Sequence, residues 1–439
     1  MSRIVITGAR ILDARNSLTG DVLIEDGLIT EVGAVSPAAA AAADEVLDGR
    51  GRAVIPGFVN THTHAAMVLF RGYTDDVPLM EWLERKIWPL EKHLRAEHVY
   101  AGTRLACLEM MASGTTAFQD MYFQPEAAAR AVESMGMRAV ISRVFFDMFD
   151  KKTPPELKLD IGATLARLRG FANVVPSIGP HAPYTVSLPG LRAVAELAEE
   201  EDVLVHFHLA ETEREIVEFR ARHGEGLVEA LDRLGFLGPR LVAAHGIFLS
   251  ESDAALLGAR KVSVLHCPSS NMKLGSGWAS DGRPRALPFG RLRAAGVRVA
   301  LGTDGAAANN NLDMFESMKL AALLQKHATG DAATLTAHEA FAMATLHGAE
   351  ALRLNAGLIE PGRRADLVLI DLARPYLCPG HDLVADLVYA GRPDCVETVL
   401  VAGQVVLRGG RHPESQQILA AARAAAQDLL AAANVTPLA

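Results

Sequence analysis

Histidines separated by a single residue recur in this chain, as His62-Thr63-His64 near the start and His206-Phe207-His208 near the middle. Side chains at i and i+2 of a strand point the same way. Each pair can therefore aim two imidazoles at one point, and imidazole is a common ligand for zinc and other borderline divalent metals. Glu211 comes three residues after His208, and Asp304 follows Leu301-Gly302-Thr303. His181, His245 and His266 each stand at or just beyond the end of a short apolar run. Any one of them, taken alone, reads as a core or rim histidine. Seven of the 15 histidines at such ends are harder to explain by packing, which does not call for imidazoles there, whereas a metal does. Three histidines plus a carboxylate make a site for one divalent cation with water or hydroxide in an open position. Glu211 is not needed as a ligand and can shuttle protons, while His245 and Asp304 can orient and deprotonate the water.

Such a site needs a frame that gathers strand ends. From about residue 53 to 358, short apolar strands alternate with helical segments, the signature of βα units and a parallel sheet. The run Ala53-Val54-Ile55, leading into Pro56-Gly57, reads as the first buried strand. Thr115–Asp120, Arg138–Arg143, Asn173–Ile178, Val203–His208, Leu241–His245, Val262–His266 and Val297–Gly302 are the candidates after it. Eight strands close a (β/α)8 barrel, whose active-site groups lie at the carboxyl ends of the strands. No Gly-x-Gly-x-x-Gly follows an early strand, so an open dinucleotide-binding sheet has little support. Both ends of the chain read as β-structure. Asp26-Gly27 between apolar runs signals a hairpin, and Ala365–Asp371 and Val396–Leu407 read as strands. Ala38–Ala43 reads as a loop or a loose helical turn, and residues 415–433 as an Ala/Leu-rich helix without evident chemistry. The expected architecture is α/β: a (β/α)8 TIM-like barrel over 58–358, a small β-sandwich domain composed of 1–57 and 359–412, and a C-terminal helix within 413–439.

Composition removes several function classes. The 439 residues are 50% hydrophobic and 5% aromatic, which suits an Ala/Val/Leu-rich α/β protein. With 43 basic against 52 acidic residues and no basic run, nucleic acid is not an expected partner. Cys107, Cys267, Cys378 and Cys395 are scattered, without a Cys-x-x-Cys pair, which fits buried thiols in a reducing compartment. Met1-Ser2-Arg3 runs straight into strand-like sequence, and no apolar run is long enough to span a bilayer, so no membrane role and a cytoplasmic location are expected.

His62-Thr63-His64, His208-Leu209-Ala210-Glu211, His245-Gly246 and Gly302-Thr303-Asp304-Gly305 resemble the amidohydrolase superfamily, in its deaminase and chlorohydrolase branch. Asn60–Met67, Leu79–Leu83, Ile87-Trp88-Pro89-Leu90-Glu91 and Thr303–Glu316 resemble more closely the 5-methylthioadenosine/S-adenosylhomocysteine deaminases, and Gly357–Asp371 resembles the return segment of their β-domain. The resemblance implies His62, His64, His208 and Asp304 as metal ligands, with zinc the usual ion; the same donors also accept iron(II), cobalt or manganese. Some barrel hydrolases hold two metals through a carboxylated lysine on the fourth strand, but Asn173–Ile178 has no lysine, which favours one metal. The resemblance further implies Glu211 as the proton shuttle to a purine ring nitrogen and His245 as a partner of the attacking hydroxide. Glu91 would accept hydrogen bonds from ribose hydroxyls, His181 would contact the purine, and Arg143 would line the pocket. His266 matches no ligand, and Cys267 reads as a buried small hydrophobe.

The implied reaction is hydrolytic deamination of a 6-aminopurine nucleoside to the inosine analogue and ammonia. The enzymatic rivals are hydrolysis of a triazine or of another purine base such as guanine or 8-oxoguanine; the non-enzymatic rival is a scaffold. One departure bears on substrate. Relatives that handle a homocysteine tail well can carry a further arginine after the third strand, where this chain offers Lys151 and Lys152 instead. Lysine lacks the planar fork that grips a carboxylate. Methylthioadenosine or adenosine therefore ranks above S-adenosylhomocysteine. A homo-oligomer, dimer or tetramer, is the family-like expectation.

Overall fold

The computed structural model describes residues 2–150 and 152–435. Two eight-stranded sheets organise them. The first is mixed and joins both ends of the chain: β1 (Arg3–Leu12), β2 (Ser17–Glu25), β3 (Leu28–Gly33), β4 (Glu45–Asp48) and β5 (Arg52–Pro56) meet three late strands. The second is parallel and runs in sequence order through β6 (Phe58–Thr63), β7 (Thr115–Tyr122), β8 (Arg138–Phe145), β9 (Val174–Pro180), β10 (Leu204–Leu209), β11 (Leu241–His245), β12 (Ser263–His266) and β13 (Arg298–Leu301). β14 (Leu367–Asp371), β15 (Val396–Val401) and β16 (Gln404–Arg408) then return to the first sheet, where β14 pairs antiparallel with β5. The expected small β-domain is thus one continuous sheet that branches at β1, which pairs with β2, β4 and β5.

The opening strand divides differently from the sequence reading. Ala53-Val54-Ile55 belongs to β5 in the mixed sheet, and the first barrel strand starts at Phe58. Gly57 makes the crossing possible: a Cβ there would lie 2.2 Å from Thr116 atoms, so only glycine lets the chain pass that close to β7. A continuous apolar run hides such a change of sheet, because both halves are buried.

The barrel is closed between β13 and β6 by contacts other than a regular ladder. Thr61 Oγ1 donates to the Leu301 carbonyl at 2.8 Å, and the Asp304 amide donates to the His62 carbonyl at 2.9 Å. Asn60 Oδ1 accepts from the Thr303 amide at 3.0 Å, while its Nδ2 donates to Thr303 Oγ1 at 2.7 Å. Gly302 allows the approach, since a Cβ there would sit 2.7 Å from that of His62. These contacts bring Asp304 beside the first histidine pair. Between the two sheets, the buried Arg138 guanidinium donates to Asp366 at 3.2 Å, and the same carboxylate accepts from the Ala402 amide at 2.6 Å. The terminal helix Ser415–Ala432 lies on the helix Ala96–Ala112, where Asp428 meets Arg95 and His98. Among the described residues, no helix is long and apolar enough to cross a membrane.

Candidate active site and metal centre

Each candidate sits where a barrel strand ends. His62 is within β6 and His64 follows it; His208 is within β10, His245 closes β11, and Asp304 comes three residues after β13. Ala210, His245 and Asp304 have φ values of 53°, 75° and 66° without being glycine. Left-handed backbone at residues with a Cβ is costly and concentrates at functional sites.

Side-chain donor atoms of His62, His64 and Asp304 lie within 4.8 Å of one another, and so do those of His62, His208 and His245. His62 belongs to both groups. Its Nε2 is buried, has no hydrogen-bond partner among the described residues, and lies 3.6 Å from Asp304 Oδ1. His64 Nε2 lies 3.4 Å from the same oxygen. The other nitrogen of each ring is engaged elsewhere. His64 Nδ1 meets the Met121 carbonyl at 2.6 Å, His208 Nδ1 the His181 carbonyl at 2.7 Å, and His62 Nδ1 meets His206 at 2.7 Å. A ring that donates from Nδ1 keeps its lone pair on Nε2, the form that ligates a metal. Burial pushes His62 down to about 4 and His208 well below the ordinary histidine range, which keeps both rings neutral. Burial acts the other way on Asp304, but the neighbouring His62, His64 and His245 outweigh it and hold the carboxyl below its usual range. Neutral imidazoles, an ionised carboxylate and an unpartnered buried nitrogen beside it fit a divalent cation.

Glu211 is fixed by its own surroundings. Ser276 Oγ donates to its Oε1 at 2.9 Å, and Oε2 lies 3.7 Å from His245 Nε2. The amides of Ala210 and Glu211 both donate to the Glu215 carboxylate, at 2.7 and 3.1 Å. Burial raises the Glu211 carboxyl against the pull of His245, a shift that favours its protonated form. On His245, burial disfavours the charged ring, but the Glu211 and Asp304 carboxylates prevail and raise its pKa. Its Nδ1 lies 2.8 Å from Asn271 Oδ1, and its ring stacks on His208 with centroids 5.4 Å apart.

The cavity over these groups is also lined by Glu91, Tyr122, Trp88, Phe146 and His181. Tyr122 donates its hydroxyl to Glu91 Oε1 at 2.8 Å, while burial lifts the Glu91 carboxyl to about 7. The His181 ring lies 4.7 Å from Phe146 and 4.8 Å from His208, and burial lowers it to about 3.

Arg143, which the resemblance sets along the pocket, is not among the residues lining this cavity. Strand alternation explains it. Ser142 meets Gln119 and Ser177 inside the barrel and Val144 lines the cavity, so the side chain between them faces the surrounding helices. There the Arg143 guanidinium donates to Asp160 at 2.9 Å and also meets the Val144 carbonyl. Lys152 donates to the same Asp160 carboxylate at 3.0 Å, and Lys151 lies outside the described residues.

Residues 53–406 match the Amidohydrolase family. The chain belongs to the amidohydrolase family. A curated relative, 5-methylthioadenosine/S-adenosylhomocysteine deaminase 1 of Archaeoglobus fulgidus, is 51% identical over 93% of this chain and 94% of its own length. A 5'-deoxyadenosine deaminase of Methanothermobacter thermautotrophicus is 46% identical over 97% of this chain and 98% of its own. Among solved structures, an adenosine deaminase from Xanthomonas campestris with bound zinc superposes with a TM-score of 0.90 at 34% identity, covering 98% of this chain and 99% of that one.

Sequence reasoning missed four members of this amidohydrolase site: Tyr122, Glu215, Asn271 and Ser276. Their contacts span 31, 4, 26 and 65 residues. Only Asn271 left a signal, standing in the run that follows the strand-end His266. His266 itself stays apart. Both of its ring nitrogens are buried without a partner among the described residues, and it lines a separate cavity with Asn271 and Trp278.

Proposed function

We propose that this amidohydrolase is a hydrolytic deaminase of adenosine analogues, acting on 5'-methylthioadenosine or 5'-deoxyadenosine in preference to S-adenosylhomocysteine. The observation that carries the reading is a third carboxylate, Glu91, held by Tyr122 in the same cavity as Glu211, His245 and Asp304. A free base or a triazine has no ribose to engage it. The names of the relatives point the same way.

A divalent cation held by His62, His64, His208 and Asp304 would supply Lewis acidity that makes water a nucleophile near neutral pH. The protein does the rest. His245 and Asp304 orient the water and accept its proton as its oxygen adds to C6 of the purine. Glu211 delivers a proton to the adjacent ring nitrogen, which lets electron density leave C6 for the ring. The amino group then departs with a proton as ammonia, and the carbonyl of the inosine analogue forms. The atoms balance as one water consumed and one ammonia released. Glu91 holds the ribose hydroxyls, and His181 with Phe146 borders the base.

Arg143 and Lys152 are both committed to Asp160. That leaves a homocysteine carboxylate without the forked partner it would use. The test is loss of the adenine absorbance with ammonia release by zinc-loaded protein, run on methylthioadenosine, deoxyadenosine, adenosine, S-adenosylhomocysteine and guanine together. Turnover of guanine alone would remove the ribose role of Glu91 and, with it, the nucleoside reading.

A further inference from the structure

His64 and His208 rest their Nδ1 atoms on backbone carbonyls. His62 rests on another imidazole. Its Nδ1 lies 2.7 Å from Nε2 of His206, with the rings 4.8 Å apart and 74° between their planes. A carbonyl only accepts, but an imidazole nitrogen can donate or accept, so the surrounding atoms decide where the proton sits. Were it on His206 Nε2, neutral His62 would accept at Nδ1 and carry its own proton on Nε2. That atom is buried, has no hydrogen-bond partner among the described residues and faces Asp304 at 3.6 Å, in the group of donors that fits a cation. A lone pair belongs there. The shared proton is therefore on His62 Nδ1, and His206 accepts it.

His206 must then carry its own proton on Nδ1, an atom that is buried and likewise without a partner among the described residues. A buried donor left unpaired is a cost that an apolar side chain of similar size would avoid, so packing alone does not account for a histidine at this position.

We propose that His206 is a positioning residue, a neutral Nδ1-protonated imidazole that accepts from His62 and so fixes the tautomer and ring plane His62 presents to the cation. The proposal rests on the reading of His62 as a metal ligand. Partners of this kind behind a ligating histidine typically set metal affinity by about 10- to 100-fold.

The experiment strips metal from the wild-type chain, His206→Gln and His206→Leu, titrates each with zinc against a chromophoric chelator, and records the melting of each metal-free protein. Glutamine can place an accepting oxygen near the position of Nε2; leucine cannot. The expected result is zinc binding about 10- to 100-fold weaker in His206→Leu and largely recovered in His206→Gln, with similar metal-free melting. Wild-type affinity in His206→Leu overturns the proposal. So does an equal loss in both variants with a matching fall in metal-free melting, which marks a packing role. The tautomer is read independently on the unsubstituted, zinc-loaded chain by ¹⁵N-histidine NMR. A proton on Nδ1 of His206 with a bare Nε2 supports the proposal, and a protonated Nε2 overturns it. A wild-type chain that binds no zinc would overturn the ligand reading of His62 along with it, a result distinct from a zinc-binding protein indifferent to His206.

Discussion

The side-chain oxygen of Asn271 lies 2.8 Å from Nδ1 of His245. Because that oxygen accepts, His245 keeps its proton on Nδ1 and presents Nε2 to Glu211, 3.7 Å away. The His245 backbone is left-handed, at φ 75°, so its ring direction depends on this bond and on the stack against His208. Asn271→Leu is expected to lower kcat about 10- to 100-fold, part of what a misdirected general base costs, with little change in KM. Steady-state kinetics on methylthioadenosine check it. An unchanged kcat would assign Asn271 to packing alone.

Glu91 makes a pH prediction with a definite sign. Its folded carboxyl is raised to about 7 by burial, above the ordinary value of 4.5. A group with a raised folded pKa favours the folded state while it is protonated. That contribution is full below about pH 4.5 and is lost as pH rises to about 7. Glu91→Gln is therefore expected to melt like the wild-type protein near pH 4.5 and above it at pH 8. Activity moves the opposite way. Only the ionised carboxylate accepts fully from ribose hydroxyls, so kcat/KM for a nucleoside should rise through pH 7 in the wild type and stay flat and lower in Glu91→Gln. Paired melts and kinetics across pH 5–8 read both effects, and a flat wild-type profile would sink the assignment.

Metal removal and loss of Glu211 should separate cleanly. Chelation is expected to lower the melting temperature, and zinc at a hundredfold excess over its Kd should restore about 2.7 kcal/mol. Glu211 is held by Ser276 and by the Glu215-buttressed backbone, and it belongs to neither group of converging donor atoms among the described residues. Glu211→Gln should therefore keep zinc affinity and melting while kcat falls about 10²- to 10⁴-fold. His64→Ala should lose both. Metal loss in Glu211→Gln would make Glu211 a ligand.

Why the sequence disclosed some of this and not the rest is a matter of periodicity. His62, His64, His208, His245 and Asp304 stand out because polar groups at the ends of apolar strands break a pattern that runs along the chain. Arg143, which the resemblance sets along the pocket, does not line the cavity, because the two-residue alternation turns it outward between Ser142 and Val144. The expected bounds divide the chain at 57/58, yet Ala53-Val54-Ile55 still reads as a barrel strand, because β5 and β6 are both buried. Tyr122 with Glu91 and Ser276 with Glu211 join distant segments, and no local spacing encodes them.

Asp160 governs the last prediction. Its carboxylate holds Arg143 at 2.9 Å and Lys152 at 3.0 Å, and both cations lower its pKa against the effect of burial. Asp160→Asn removes the charge while keeping the shape, which releases a guanidinium and an ammonium beside the strand that supplies Val144 and Phe145. A freed guanidinium can meet a carboxylate with two parallel bonds. The expected outcome is a several-fold gain in kcat/KM for S-adenosylhomocysteine relative to methylthioadenosine, whose tail carries no charge. Because Asp160 is partly exposed, screening by salt should reduce the gain, so the ratio is best measured at low and at high ionic strength. If neither the ratio nor its salt dependence moves, the preference against a charged tail comes from the cavity wall formed by Trp88 and Phe146, and Asp160 has no part in it.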